Sequence, residues 1–450
     1  MNWTRGMTGF ALVAALGLIL GSAPAAKAQA AAQDAGKQAY TMPEYNAFQA
    51  ASAEKNPAQQ IKLLDDFVSK YPNSALLVYI YPLYYQANGA LKNYPKVIEY
   101  ADKLLALGDK TDAPARYLAY SARAFAYTNL PPALQQDKDQ ATKARDAAAS
   151  GLKALAELKK PDTITDADWA KQTQQPKIVF SYAAAIAASV LKDFQGAVDS
   201  YKAVMALNPD DAIASYRIGQ SYLAMTPPQS VDAFWFFARA ATSKGATEAQ
   251  SKQVKGYLRK LIANYQGGAV CDNLTDAELN ELVQLATSSP ERPASYTIPS
   301  SADLDTARKD MTILSVVTDL KAGGDKAKIT WLASCGLEFP DVQAKLLEVV
   351  PAATASDPIT LKVAFVTSQA EFESATVPNM DVKVVGQPEA ARLDKDNPVR
   401  FTGTLSAYDP DPAFMLHWDK AKVNAEDIPK EKAAPKKPAP RRPAPKKPGT

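Results

Sequence analysis

The 450-residue sequence predicts a mainly α chain: an α-solenoid of paired helices, followed by connecting helices and a small C-terminal β barrel or sandwich. Three observations predict this. Between Ile178 and Ala240, small and apolar residues recur at helical spacing in two tandem units that agree in phase and in order. From Ile359 the period changes to two, in short runs rich in Val, Phe and Thr. A hydrophobic share of 47% with 22% charged residues is that of a chain able to bury a core, and the length calls for two or three such units.

In chain order, the first residues carry one positive charge at Arg5, an apolar run from Phe10 to Leu20 and small residues ending AAKAQA. This is the pattern of a secretory signal peptide over residues 1–28, with cleavage after Ala28 or after Ala30 fitting equally well. The apolar run is too short to span a bilayer, and no later stretch approaches the ~20 apolar residues a span requires. No cysteine stands near the cleavage point, which removes a lipid anchor. The alanine-rich start that follows makes the periplasm the expected address, with the extracellular space as alternative, and residues 29–42 read as a linker.

Helical pairs are expected over residues 43–268. PEYNAFQAASAE pairs with PAQQIKLLDDFVSKY, ALLVYIYPLYYQAN with YPKVIEYADKLLAL, and APARYLAYSARAFAYTNL with DKDQATKARDAAASGLKALAEL. Pro82 predicts a kink or break in the second pair. A loop, KPDTITDADW, precedes the two clean units. In the first of them Ala184, Ala185 and Ala188 precede the trio Ala197, Tyr201 and Val204, with Pro209 closing the unit; in the second, Gly219 and Tyr222 precede Ala233, Phe237 and Ala240. Small residues let paired helices approach, the ring four residues after the alanine fills the gap, and proline stops the second helix. GATEAQSKQVKGYLRKLIANYQGG then reads as a terminal cap after about five pairs.

This pattern resembles the tetratricopeptide repeat, with its period of about 34 residues, its small-x-x-aromatic first helix and its A-x3-F second helix. The resemblance implies a solenoid whose concave face is lined by the first helix of each pair. Carried over by position, the groove residues are Leu76, Tyr79 and Leu83, then Arg116 and Arg123, then Val179, Tyr182 and Ile186, and last Ile213, Tyr216 and Gln220. Arg217 falls where the chaperone-binding members hold a peptide carboxylate, but Ile213, Tyr182 and Ile186 occupy the other positions of that clamp, so the clamp is absent as a set. What remains suits an extended or helical peptide held by Tyr79, Tyr182, Tyr216, Arg116, Arg123, Arg217 and Gln220. The competing reading is that the tyrosines only pack between repeats.

Residues 269–355 keep a helical pattern without the repeat. Thr275 and Glu278 read as a capping box opening TDAELNELVQLA, which makes the Asn273-Leu274-Thr275 sequon a coincidence. SSADLDTARKDMTILSVVTDLKAGG reads as one helix from a serine cap to Gly323 and Gly324, followed by DKAKITWLAS and PDVQAKLLEVV as two shorter helices. Residues 356–428 hold the strands ITLKVAFV, MDVKVVG, PVRFTGTLSAYD and FMLHWDKAKVN. The stretch RFTGTLSAYDPDPAFMLHWDKAKV resembles the oligonucleotide/oligosaccharide-binding barrels of exported bacterial proteins.

Residues 429–450 carry eight Lys or Arg and one Glu among prolines, a net charge of +7 that leaves the body between leader and tail at −6. Such a segment is an extended, solvated polyproline tail. Its Lys436, Lys437, Arg441, Arg442, Lys446 and Lys447 suit an anionic envelope polymer or membrane surface; the alternative is a solubilising end. It has no aromatic residue for base stacking, which counts against specific nucleic-acid binding.

Catalysis is poorly supplied. The only histidine, His417, has no nucleophile motif nearby, and the sequence has no P-loop, H-E-x-x-H, G-x-S-x-G or dinucleotide glycine fingerprint. Asp65-Asp66 and Asp210-Asp211 read as a solvated helix face and a helix cap. No cofactor or metal is expected. Cys271 and Cys335 either form one bridge, closing a loop of roughly 65 residues worth on the order of 4 kcal/mol, or remain two buried thiols. The expectation is therefore a non-enzymatic exported scaffold that binds protein partners, with an envelope oligosaccharide-binding module as alternative and an envelope hydrolase as a weaker one.

Overall fold

The structure is a computed structural model, and it describes residues 40–268, 270–354, 357–410 and 413–430. The signal peptide, nearly all of the linker, and the basic positions Lys436, Lys437, Arg441, Arg442, Lys446 and Lys447 lie outside the described residues. The chain divides into two compact units. One runs to Ile262 and includes Glu278–Ile298; the other consists of Ala263–Ala277 and the residues from Pro299 onward.

The first unit is built of α1 (Met42–Ala53), α2 (Pro57–Lys70), α3 (Leu77–Ala90), α4 (Tyr94–Leu105), α5 (Ala113–Thr128), the short α6 (Pro132–Gln135), α7 (Lys138–Glu157), α8 (Asp166–Val190), α9 (Phe194–Leu207), α10 (Ala212–Ala224), α11 (Ser230–Thr242) and α12 (Glu248–Tyr265). Side-chain oxygens start these helices by accepting from the first turn: Asp112 from Ala115, Asp137 from Gln140, Asp193 from Gly196 and Asp211 from Ala214. Each such cap is worth about 1 kcal/mol. From α1 to α11 the helices pack mainly on their neighbours in sequence.

Two of the turns between helices are the same structure. After α3 the backbone N–H of Asn93 donates to Asn88 O (2.8 Å) and that of Lys92 to Gly89 O (3.0 Å). After α8, Asp193 N–H donates to Ala188 O (2.8 Å) and Lys192 N–H to Ser189 O (3.2 Å). Both are Schellman motifs, and the residue that must turn left-handed is a lysine each time, with φ 58° at Lys92 and 63° at Lys192.

Several local expectations need correction. Of the kink or break expected at Pro82, the break does not occur: α3 continues through it. The loop expected up to Trp169 ends at Thr165, whose hydroxyl caps α8, so the first helix of the first clean unit begins twelve residues before Ile178 and has 25 residues.

The second unit begins with the end of α12 and the start of α13 (Asp272–Ser288). Thr275 is therefore inside the first turn of α13 and not its cap. The single helix expected from Ser300 is two, α14 (Ser301–Lys309) and α15 (Ile313–Ala322). Each has its own capping box, at Ser300 with Asp303 and at Thr312 with Ser315, and the second box restarts the helix. α16 (Gly324–Ser334) follows Gly323, whose φ of 70° ends α15.

PDVQAKLLEVV is not a helix. It belongs to β1 (Glu338–Val350), the longest strand, followed by β2 (Ile359–Phe365), α17 (Gln369–Ser374), β3 (Met380–Val384), β4 (Pro398–Asp409) and β5 (Met415–Val423). The β region thus starts at 338 and not at 356. Irregularities in register between Phe339 and Val342 and between Leu346 and Glu348 break the strict alternation of β1, which hid it from a period-two reading.

The five strands close a barrel in the order β1-β2-β3-β5-β4. Only the β3–β5 pair is parallel. Trp418 fills its centre, edge-on to Phe339 (5.7 Å) and Phe401 (5.4 Å). Val316, Leu320 and Trp331 from α15 and α16 share this core. Cys271 and Cys335 form a disulfide that joins the turn before α13 to the end of α16, both within the second unit.

Candidate functional site

The face assigned to ligand binding is carried by α3, α5, α8 and α10, and its seven candidate residues separate by burial. Tyr182 and Tyr216 are enclosed in the helical core, at 4% and 3% exposure. Tyr182 lies edge-on to Tyr201 at 5.9 Å and donates its hydroxyl to Asp211 Oδ1 at 2.6 Å. Burial and the Asp211 carboxylate push that phenol well above the ordinary range. Because Asp211 also caps α10, the bond ties α8 to the start of the next pair. Tyr216 packs edge-on against Phe237 at 5.2 Å. These two rings fill space between helices, so of the two readings of the tyrosines packing is the one the structure supports. Leu76 and Leu83 are buried in the same way.

Arg123 is a buried cation, 2% exposed. Its Nε is 3.3 Å from Asp102 Oδ1 on α4 and its Nη2 is 3.4 Å from Gln140 Oε1 on α7, while Nη1 has no hydrogen-bond partner. Burial pulls the guanidinium below its usual range, against the attraction of Asp102; the Asp102 carboxyl is pushed up by burial, against Arg123. This geometry ties three helices together and offers nothing to a partner in solution. Arg123 is therefore corrected from groove contact to core tie.

Tyr79, Arg116, Arg217 and Gln220 are half-exposed. Tyr79 stands 6.0 Å from Phe48, next to the stacked pair Tyr40 and Tyr45 (5.8 Å). Its phenol is pushed up by burial and by the nearby Asp112 and Tyr40. Arg116, one turn into α5, donates to Thr111 O. Arg217 Nη1 donates to Gln220 Oε1 at 3.0 Å, which orients the guanidinium along α10. The structure thus brings Arg217 and Gln220 together on α10, and sets Tyr79 in an aromatic group with residues of α1.

On the barrel, the outward residues of β2, β3 and β5 include Thr360, Lys362, Asp381, Lys383, His417 and Asp419. Lys362 pairs with Asp381 (2.9 Å) and Lys383 with Asp419 (3.3 Å). These positions carry charges and no aromatic platform on which a sugar or a base could stack. Among the described residues no three His, Cys, Asp or Glu side chains gather as a metal site. None of the described helices is long and apolar enough to cross a membrane. The sequence reading missed the Asp102–Arg123–Gln140 tie, whose partners lie on three helices, and the charge pairs of the barrel face, which depend on strand register.

Comparison with family models, curated proteins and solved structures gave no match for this chain.

Proposed function

We propose that the protein is an exported, non-enzymatic scaffold whose paired helices form a tetratricopeptide-type solenoid and bind a protein partner along the face carrying Tyr79, Arg116, Arg217 and Gln220. The observation that carries this reading is the repeated helix-to-helix turn. Two Schellman turns with the same bonds and the same left-handed lysine, followed by Asn93-Tyr94 and Asp193-Phe194, start equivalent second helices a hundred residues apart. Nearest-neighbour packing of α1 to α11 supports it, because a stack of repeats contacts only its neighbours. A stack of this kind presents a long surface, and that surface holds aromatic and cationic groups suited to a peptide.

The address rests on the signal-peptide pattern of residues 1–28, with the periplasm first. The basic tail would add a contact to an anionic polymer or membrane surface. The strand order of the barrel, with β3 parallel to β5, favours an oligonucleotide/oligosaccharide-binding type of barrel. Ligand binding there is the second reading, disfavoured by the ion-paired face without aromatic residues.

The test is site-specific photo-cross-linking in the full chain, with the reactive residue at Tyr79, Arg116, Arg217 or Gln220, and at Thr360 or Lys383 on the barrel. Adducts to a protein at the helical positions are expected. Adducts confined to the barrel positions would overturn the scaffold reading in favour of the second.

A further inference from the structure

We propose that one face of α11 is a docking site for the peptide pattern Pro-x-Arg-Pro-Ala, held in this structure by residues 290–294 of the chain itself, and that residues 440–444 of the C-terminal tail compete for it. The two stretches, Pro290-Glu291-Arg292-Pro293-Ala294 and Pro440-Arg441-Arg442-Pro443-Ala444, agree at four of five positions. The tail repeats the pattern in tandem, since residues 435–439 read PKKPA and residues 445–449 read PKKPG.

The stretch after α13 shows how such a peptide is held. Residues 289–293 are neither helix nor strand, belong to the helical unit and meet α11 at two points. In the last turn of α11, Arg239 donates from Nη1 to Ser289 O (3.3 Å) and to Pro290 O, while its Nη2 reaches Pro209 O at 3.4 Å. In the first turn, Asp232 Oδ1 accepts from Arg292 Nε at 3.1 Å. Asp232 and Arg239 are seven residues apart, which puts them on one face of the helix about 10 Å apart along its axis. Ser289 and Arg292 are three residues apart, and extended chain at ~3.3 Å per residue covers the same distance. The peptide therefore runs antiparallel to α11, and this match of lengths fixes the spacing between the carbonyl contact and the arginine.

The two contacts read different things. Arg239 binds main-chain carbonyls, which any sequence supplies. Asp232 binds the arginine side chain, and Arg442 stands at the same place in its pattern as Arg292. The prolines at the first and fourth positions have a fixed φ, so ordering them costs little. Glu291, where the tail has Arg441, is exposed. The side chains of Arg292 and Asp232 are 27% and 36% exposed, so they can part without opening a core. Tyr296 and Ile298, both buried, keep residues 289–294 tethered beside α11, and that high local concentration favours them over the tail. Weakening the Arg292 contact shifts the balance. The site lies on a different helix from Tyr79, Arg116, Arg217 and Gln220, and the inference does not rest on their role.

Photo-cross-linking in the full chain, with the reactive residue in place of Ala444 and adducts mapped by mass spectrometry, tests this. In the wild type, α11 is expected as a minor target. Arg292→Gln should raise the α11 adducts about two- to fivefold, the range of a half-exposed ion pair. Asp232→Lys should bring them below the wild-type level, and adding Arg442→Glu to Asp232→Lys should restore them, which a misfolded chain would not do. Equal α11 adducts in the wild type and Arg292→Gln overturn the proposal, as does a double variant that gives no more of them than Asp232→Lys alone.

Discussion

The two units of this chain bury their cores by different means. In the helical unit the packing residues are small: Ala119, Ala122, Ala144, Ala148, Ala183, Ala187 and Ala197 are all fully buried, and aromatic rings fill the spaces that they leave. The approach is so close at Gly151 that a Cβ there would lie 2.2 Å from the ring of Phe180, and at Gly219 it would lie 2.9 Å from Phe237. In the barrel the core is branched and bulky, with Val342, Leu361, Val363, Val382, Phe401 and Leu405 around Trp418. The helical contacts join neighbours in sequence, whereas β1 must meet β4, which begins at Pro398, for the barrel to close. A defect in the first kind of core stays near the helices it touches; a defect in the second opens the whole sheet.

The largest expected effect follows from that difference. Trp418→Ala removes the one ring that touches both Phe339 and Phe401, and should cost about 3–5 kcal/mol. In a denaturant titration the near-ultraviolet circular dichroism of the barrel should be lost early, while the far-ultraviolet signal of the helices persists. If both signals shift together to the same lower midpoint, the two units do not behave as separate cores.

The disulfide sharpens the same comparison, since both of its cysteines lie in the second unit. It closes a loop spanning 64 residues in sequence, and the chain-entropy relation makes that worth about 4 kcal/mol. Cys335→Ser should lower the stability of the barrel unit by an amount of this order and leave the helical transition in place. A barrel midpoint unchanged both in this variant and after reduction of the wild type would show that the covalent tie is redundant with the packing of α16 on the strands.

How much of this was legible in the sequence divides along the same line. The helical pairs could be read because their signals are local: Ala197, Tyr201 and Val204 lie on one face of one helix, and all three are buried. The strands β2 to β5 were legible from their alternation. β1 was not, because its register irregularities interrupt the alternation, and what makes it a strand is pairing with β2 and β4, up to sixty-six residues away in sequence. For the candidate site, Arg217 and Gln220 were found at half-exposed positions, while Tyr182, Tyr216 and Arg123 turned out to be core. A groove position assigned by counting along a helix cannot tell a ring facing solvent from one facing the next pair. The deciding partners, Asp211 for Tyr182 and Asp102 for Arg123, sit on other helices. The charge pairs on the barrel face, Lys362 with Asp381 and Lys383 with Asp419, were out of reach for the same reason, since their members lie apart in sequence and meet only across strands.

The smallest expected effect addresses the equivalence of the two turns on which the repeat reading rests. A left-handed backbone costs a residue with a Cβ about 1–2 kcal/mol, while glycine adopts it freely but loses about 0.5–1 kcal/mol to the freedom of the unfolded chain. Lys92→Gly and Lys192→Gly should therefore each stabilise the helical unit, by a net of about 0.5–1 kcal/mol. Both lysines are exposed, so little packing is lost in exchange. Being far apart in the chain and in different turns, the two gains should add in the double variant. Chemical denaturation followed in the far ultraviolet would measure them. Equal, additive gains are what two copies of one structural unit require. A gain at Lys192 with a loss at Lys92 would mean that the α3–α4 turn has diverged in its energetics while keeping its hydrogen bonds, and the repeat would then be a matter of backbone shape alone in the second pair.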